Sequence, residues 1–345
     1  MAMLKVQGVR VAGVSAAVPR QVVRKADSVH SANYSAADFT EKTGIEEVRV
    51  GNDHTASDLC QAAAERLLDD LGWEKGTVGA LFFVSQHPDY ILPATSCILQ
   101  EHLGLSRDTY AMDISLGCSG WVYGLNNAAS VIRGGVTRAL LLAGDARKRA
   151  LCDFDPIFGF AGTATALEWT GDENDVMRFQ VGTDGSGYDA IIIPDGGARN
   201  PVDVHSFELE EIDGKLMHRV QTRMKGLDVF SFAISTAPKS IKQLFSETGT
   251  TIEDYDYVVL HQANAMINDM IRKKIKASSE QTPSSLAKFG NTSMGSIPLT
   301  IVTQLRGKVE ERQTRFLCCG FGVGLSWATV SFTTNKLVVS DLIEM

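Results

Sequence analysis

The chain has 345 residues, 33 Lys+Arg against 41 Asp+Glu, and a formal net charge of −8. With 44% hydrophobic and 21% charged residues, it has the composition of a soluble globular protein. The acidic balance argues against nucleic acid as the main partner, because neutralising phosphates takes a basic face. No apolar run reaches the roughly 18–20 residues that cross a bilayer, and the start MAMLK lacks a convincing signal-peptide n-region. Val9–Val14 reads as a strand, Ser57–Leu71 as a helix, Ala80–Ser85 as a buried strand and Ala94–Leu103 as a helix. Tyr110–Ile114 is a short strand, a helix runs from about Trp121 to Gly134, and Ala139–Gly144 is again a buried strand. This alternation predicts a mostly parallel sheet covered on both faces. The second half repeats the rhythm. Met224–Ser246 reads as a long helix, Tyr257–Leu260 as a strand, Ala265 to about Ala277 and Ser296–Gln304 as helices. Arg315–Cys319 and Leu325–Phe332 read as strands around a glycine run. The glycines and prolines of 182–201 mark a connection, so two duplicated halves are expected, 1–175 and 176–345.

The cysteines are Cys60, Cys97, Cys118, Cys152, Cys318 and Cys319, with no C-x-x-C pair. They are too scattered for a disulfide scaffold, and no Cys/His cluster has zinc-ligand spacing. Free thiols in a reducing cytoplasm are expected, and no metal. Three motifs carry chemistry. In DISLGCSGWVYGL, residues 113–125, a buried strand runs into a glycine-flanked turn and a helix starts at Cys118. Such an elbow exposes a nucleophile, and the helix N-terminus is expected to lower the thiol pKa. The bland alternative is a buried structural cysteine. In VVLHQAN, residues 258–264, His261 ends a strand, the edge where open α/β sheets present functional groups; a capping histidine is the alternative. In KFGNTSMGSIP, residues 288–298, Asn291 can offer an amide N–H to an oxyanion or simply form a turn. A glycine run at 320–324 lies between two strands and can add backbone N–H donors.

Taken together, Cys118, His261 and Asn291 in these motifs resemble the Cys-His-Asn set of β-ketoacyl-acyl-carrier-protein synthase III, a condensing enzyme of the thiolase superfamily. Thr43-Gly44-Ile45 with Arg49, Ser57-Asp58-Leu59, Leu92 to Cys97, Met224-Lys225-Gly226 and Gly320 to Trp327 also match, so the resemblance covers almost the whole chain. It implies a thiolase-like α/β fold, two duplicated halves in five αβαβα layers. It implies decarboxylative Claisen condensation of an acyl thioester, carried on Cys118, with malonyl-acyl carrier protein, in fatty-acid or specialised acyl-chain synthesis. The backbone N–H groups of Cys118 and Val323 would bind one oxyanion, and His261 with Asn291 the enolate. No cofactor is implied. Leu92, from the partner of a homodimer, and Phe321 would line the acyl pocket; Leu92 replaces a larger aromatic, which suggests room for a longer or branched chain.

The resemblance also has gaps. Asp38-Phe39-Thr40-Glu41-Lys42 stands where the family's adenine-holding Trp and Arg are expected, Cys152 falls near a second expected Arg, and Phe158-Gly159-Phe160-Ala161 replaces Phe-Gly-Asp-Gly. Arg272, Lys273, Lys274 and Lys276 form a basic cluster after His261 that suits an acidic acyl carrier protein. A carrier-bound donor is therefore expected over coenzyme A. The rival readings are four. A degradative thiolase has Gly-His-Pro where this chain has Gly290-Asn291-Thr292. A hydroxymethylglutaryl synthase needs a Glu acid partner. An acyltransferase would pass the group to an alcohol or amine. A non-catalytic partner subunit would be expected to lose one of the three residues.

Overall fold

The apolar runs ALFFV and RALLLAGD become neighbouring parallel strands because both of their faces are covered. The computed structural model describes residues 2–28, 35–146, 156–212 and 215–345, and of Ser28 and Lys215 only the backbone. The main elements begin with β1 (Ala2–Gln7), β2 (Val9–Val18), α1 (Ala56–Leu71), β3 (Ala80–Val84) and α2 (Thr95–His102). They continue with β4 (Tyr110–Ile114), α3 (Gly120–Arg133), β5 (Arg138–Asp145), β6 (Ala161–Trp169) and β7 (Val176–Thr183). The second half adds α4 (Gly226–Thr248), β8 (Tyr257–Leu260), α5 (Ala265–Ile275), α6 (Ser296–Thr300), β9 (Gln313–Gly322), β10 (Ser326–Asn335) and β11 (Val338–Val339).

Two sheets result. The first has the order β11-β2-β6-β5-β3-β4, and the second β1-β7-β10-β9-β8. Side-chain alternation then builds the layers. Ala80, Phe82 and Val84 of β3 and Ala139, Leu141 and Ala143 of β5 face the space between the sheets. Phe316 and Cys318 of β9 face the same space from the other sheet, and α3 fills it. Leu81, Phe83, Leu140 and Leu142 point the opposite way, under α1. Val258, Leu260, Leu317 and Cys319 point outward under α4 and α5. The outcome is α/β/α/β/α, the five layers expected. Each fully buried Leu or Phe contributes about 1.5–3 kcal/mol.

The sheets are mixed rather than mostly parallel. β3 runs parallel to β4 and β5, and β8 to β9, but β6 is antiparallel to both β5 and β2. β9, β10, β7 and β1 alternate in direction. The small residues of β6 permit its position: a Cβ on Gly162 would lie 2.4 Å from the Cys60 nitrogen of α1. Residue 175 falls between β6 and β7, while β1 joins the second sheet and β11 the first. Ser296–Gln304 divides into α6 and a π-helical turn, Ile301–Leu305. The connection after β7 is tied by Arg219, which bonds Asp195 at 2.9 Å and Glu210 at 3.3 Å.

Candidate active site

β4 delivers Cys118 to the C-terminal edge of the first sheet. The chain turns there, with Gly120 N–H donating to the Gly117 carbonyl at 2.7 Å, and α3 begins after the N-cap Ser119. A Cβ on Gly117 would lie 2.3 Å from Val323 Cγ1 and 2.6 Å from Gln86 Oε1, so only glycine fits. On the other side of the thiol, a Cβ on Gly322 would sit 2.8 Å from Cys118 Sγ. The β9–β10 turn is thereby pressed against the cysteine. The backbone N–H groups of Val323 and of Cys118 itself face the sulfur and favour its charged form. Burial outweighs them and pushes the thiol up to about 11. The helix N-terminus was expected to lower it; desolvation of a small anion in an apolar layer is the larger effect.

His261 follows β8, and its backbone N–H donates to the Cys319 carbonyl at 2.8 Å, which extends the parallel pairing by one residue. The ring is 2% exposed. Its Nδ1 lies 2.8 Å from Ser296 Oγ, which also accepts the Gln262 N–H at 3.3 Å. Phe321 meets the imidazole edge-on, with ring centres 5.5 Å apart. Burial lowers the imidazole to about 4, against a smaller raising effect from the Ser293 carbonyl, so the ring is neutral near pH 7.

Asn291 is fixed through its backbone. Its N–H donates to the Ile157 carbonyl at 2.8 Å, and its own carbonyl accepts from Gly159 at 3.0 Å. Its side-chain oxygen accepts the Ser293 N–H at 2.9 Å, which leaves the amide N–H₂ as a donor. Ser293 is the residue that joins the three motifs. It holds φ of 51°. Its hydroxyl lies 4.0 Å from Cys118 Sγ. Neither Ser293 nor Ser296 was singled out from sequence, because a hydroxyl within a polar loop has no spacing of its own. Only their place inside GNTSMGSIP pointed to them.

The other expected residues are placed differently. Leu92 is 83% exposed on a surface loop, beside Ile91 at 96%. Arg272 and Lys273, in the last turn of α5, both pair with Asp269, and Lys274 Nζ donates to the Ile234 carbonyl at 2.8 Å. Phe39, in the stretch expected to hold adenine, is buried in the outer core. Cys152 lies outside the described residues. Cys318 and Cys319 are buried on opposite faces of β9, and Thr329 donates to Cys319 at 3.3 Å. Among the described residues, no three His, Cys, Asp or Glu side chains gather as a metal site, and no helix is long and apolar enough to cross a membrane.

The chain as a whole is similar to known proteins. A family model described as 3-oxoacyl-[acyl-carrier-protein] synthase III matches residues 112–185, and one for the C-terminal part of the same enzyme matches 245–334. A putative 3-oxoacyl-[acyl-carrier-protein] synthase 3 of Campylobacter jejuni is 32% identical over 299 residues, 83% of this chain and 81% of that protein. A β-ketoacyl-[acyl-carrier-protein] synthase III of Clostridium acetobutylicum is 28% identical over 333 residues, 95% of this chain and 99% of that one. A crystal structure titled 3-oxoacyl-(acyl-carrier protein) synthase from Burkholderia xenovorans superposes with a TM-score of 0.91 at 34% identity, covering 100% of this chain and 99% of its own.

Proposed function

The chain belongs to the 3-oxoacyl-[acyl-carrier-protein] synthase III family of condensing enzymes, and we propose that Cys118, His261 and Asn291 carry its reaction. The observation behind this reading is their convergence on one turn, Ser293, which meets all three. The sulfur of Cys118 attacks the carbonyl carbon of an acyl thioester, and its proton ends on the departing carrier sulfur. The negative oxygen that forms takes hydrogen bonds from the backbone N–H of Cys118 and Val323. The carbon–sulfur bond of the donor breaks, the carrier leaves as a thiol, and the acyl group stays on Cys118. A malonyl thioester enters next. Its carboxylate leaves as CO₂, and the electron pair of the broken bond becomes an enolate.

That enolate oxygen needs donors rather than a base. We assign the Ser296 hydroxyl proton to His261 Nδ1, which places the imidazole proton on Nε2. His261 Nε2–H and the Asn291 amide are then a donor pair, worth about 2.7–4 kcal/mol each in the transition state. The enolate carbon attacks the acyl carbonyl, Cys118 leaves, and a β-ketoacyl thioester is released. Two assays test the division of labour. Removing His261 or Asn291 should abolish malonyl decarboxylation by about 10²–10³-fold while acyl loading of Cys118 continues. Loss of loading alone would contradict it.

Acyl carrier protein is the proposed carrier of the extender. The seam of α4 and α5 supports it: a groove there of about 560 Å³ gathers Lys239, Lys242 and Lys274 on an acidic protein. A homodimer is proposed from the apolar loop at Ile91 and Leu92, whose exposure a partner would remove. Leu92 and Phe321 are retained as proposed pocket residues.

A further inference from the structure

Three neighbouring parallel strands, β4, β3 and β5, end at one edge of the first sheet. Cys118 follows β4, Gln86 and His87 follow β3, and Asp145 is the last residue of β5. Ala139, Leu141 and Ala143 face the space between the sheets. Asp145 is next in that alternation, so its carboxylate faces the same side. The turn Ser293–Gly295 packs on β5 there. The charge of Asp145 reaches the Cys118 thiol, which it helps to raise. His87 Nδ1 is hydrogen-bonded to Asp145 Oδ1, and the side chains are 25% and 12% exposed. Read with Asp145 as the acceptor, this bond places a proton on Nδ1, and Asp145 aims the imidazole. Nε2 has no hydrogen-bond partner among the described residues, and the side chain is a quarter exposed. Gln86 precedes His87 in the chain, and its Oε1 lies against Gly117, the residue before Cys118.

Polar groups at this place are unsuited to a plain alkyl chain, which would leave them unpaired on binding. We propose that Gln86 and the aimed His87 form a subsite for a hydroxyl group on the acyl chain carried by Cys118, so that the preferred donor is a hydroxyacyl thioester. A hydroxyl fits because it donates to Nε2 when that nitrogen is bare and accepts from it when it is protonated. The subsite rests on the reading of Cys118 as the acyl-carrying nucleophile.

The test is competition. The full-length protein is mixed with equimolar butyryl and 3-hydroxybutyryl thioesters of coenzyme A, then of acyl carrier protein. The two adducts, which differ by one oxygen, are measured by intact-mass spectrometry. The wild type is expected to favour the hydroxybutyryl adduct by about tenfold. His87→Leu should bring the ratio to near one, and Asp145→Ala, which removes the group that aims the imidazole, should lower it part of the way. The ratio within one sample does not depend on how much of a variant is folded. Equal loading by the wild type, an undiminished preference in His87→Leu, or a stronger adduct from succinyl thioester would overturn the subsite alone. No adduct from any donor, or one that survives Cys118→Ala, would overturn the nucleophile and the subsite with it.

Discussion

Burial displaces Cys118 and His261 in opposite directions for one reason: it disfavours whichever form is charged. The thiol rises to about 11 and the imidazole falls to about 4. Cys118 is therefore expected to react with iodoacetamide about tenfold faster per pH unit until near pH 11. A plateau near pH 7 would contradict it. For His261 the native value lies below the unfolded one, so the unfolded chain binds more protons between about pH 4 and 6.5. Stability is thus fully present above pH 6.5 and lost as the pH falls toward 4, by roughly 3 kcal/mol at most. His261→Gln, which cannot titrate, should show a shallower loss over that window in denaturant titrations. An identical slope in both proteins would argue that the ring is not neutral and buried. At this scale the sequence was informative about identity and silent about environment. HQAN and the cysteine elbow pointed to His261 and Cys118, but the thiol shift depends on how deeply the β9–β10 turn covers it.

The β9–β10 turn is the element that covers Cys118, the proposed nucleophile. It supplies Val323 and presses Gly322 to within van der Waals contact of the sulfur. Gly322→Ala puts a methyl 2.8 Å from Cys118 Sγ, and acyl loading should fall by about 10²-fold with the fold retained. Normal loading by this variant would mean that the turn stands away from the thiol in solution. Elements with strong apolar runs, such as β3 and β5, were legible because strands buried on both faces leave a continuous signal. β6 was not. Its AGTATALEW sequence is small and mixed because Gly162 and its neighbours must pass close under α1. β1 and β7 likewise read as ordinary chain, since β1 is an edge strand with several exposed residues. The register of β1 on β7, which carries the N-terminus into the second sheet, lies in long-range pairing that no local pattern records.

For the whole molecule, the five layers bring residues far apart in sequence to one sheet edge, and the proposed partners meet the surface at two places. The loop at Ile91 and Leu92 is 96% and 83% exposed. Leu92→Asp is expected to shift the protein from dimer to monomer in sedimentation; a monomeric wild type would contradict the proposed homodimer. Reversing Lys239 and Lys242 to Glu should slow turnover with malonyl-acyl carrier protein by about tenfold at low salt and less at high salt. Equal turnover at every salt concentration would argue against docking at that seam. The central claim is that Cys118 carries the acyl group, and mass spectrometry of the intact protein after incubation with acyl thioesters reads it directly. The account predicts one acyl adduct on the wild type and none on Cys118→Ala. An adduct of the same size on the variant, or none on either protein with any donor, would contradict it.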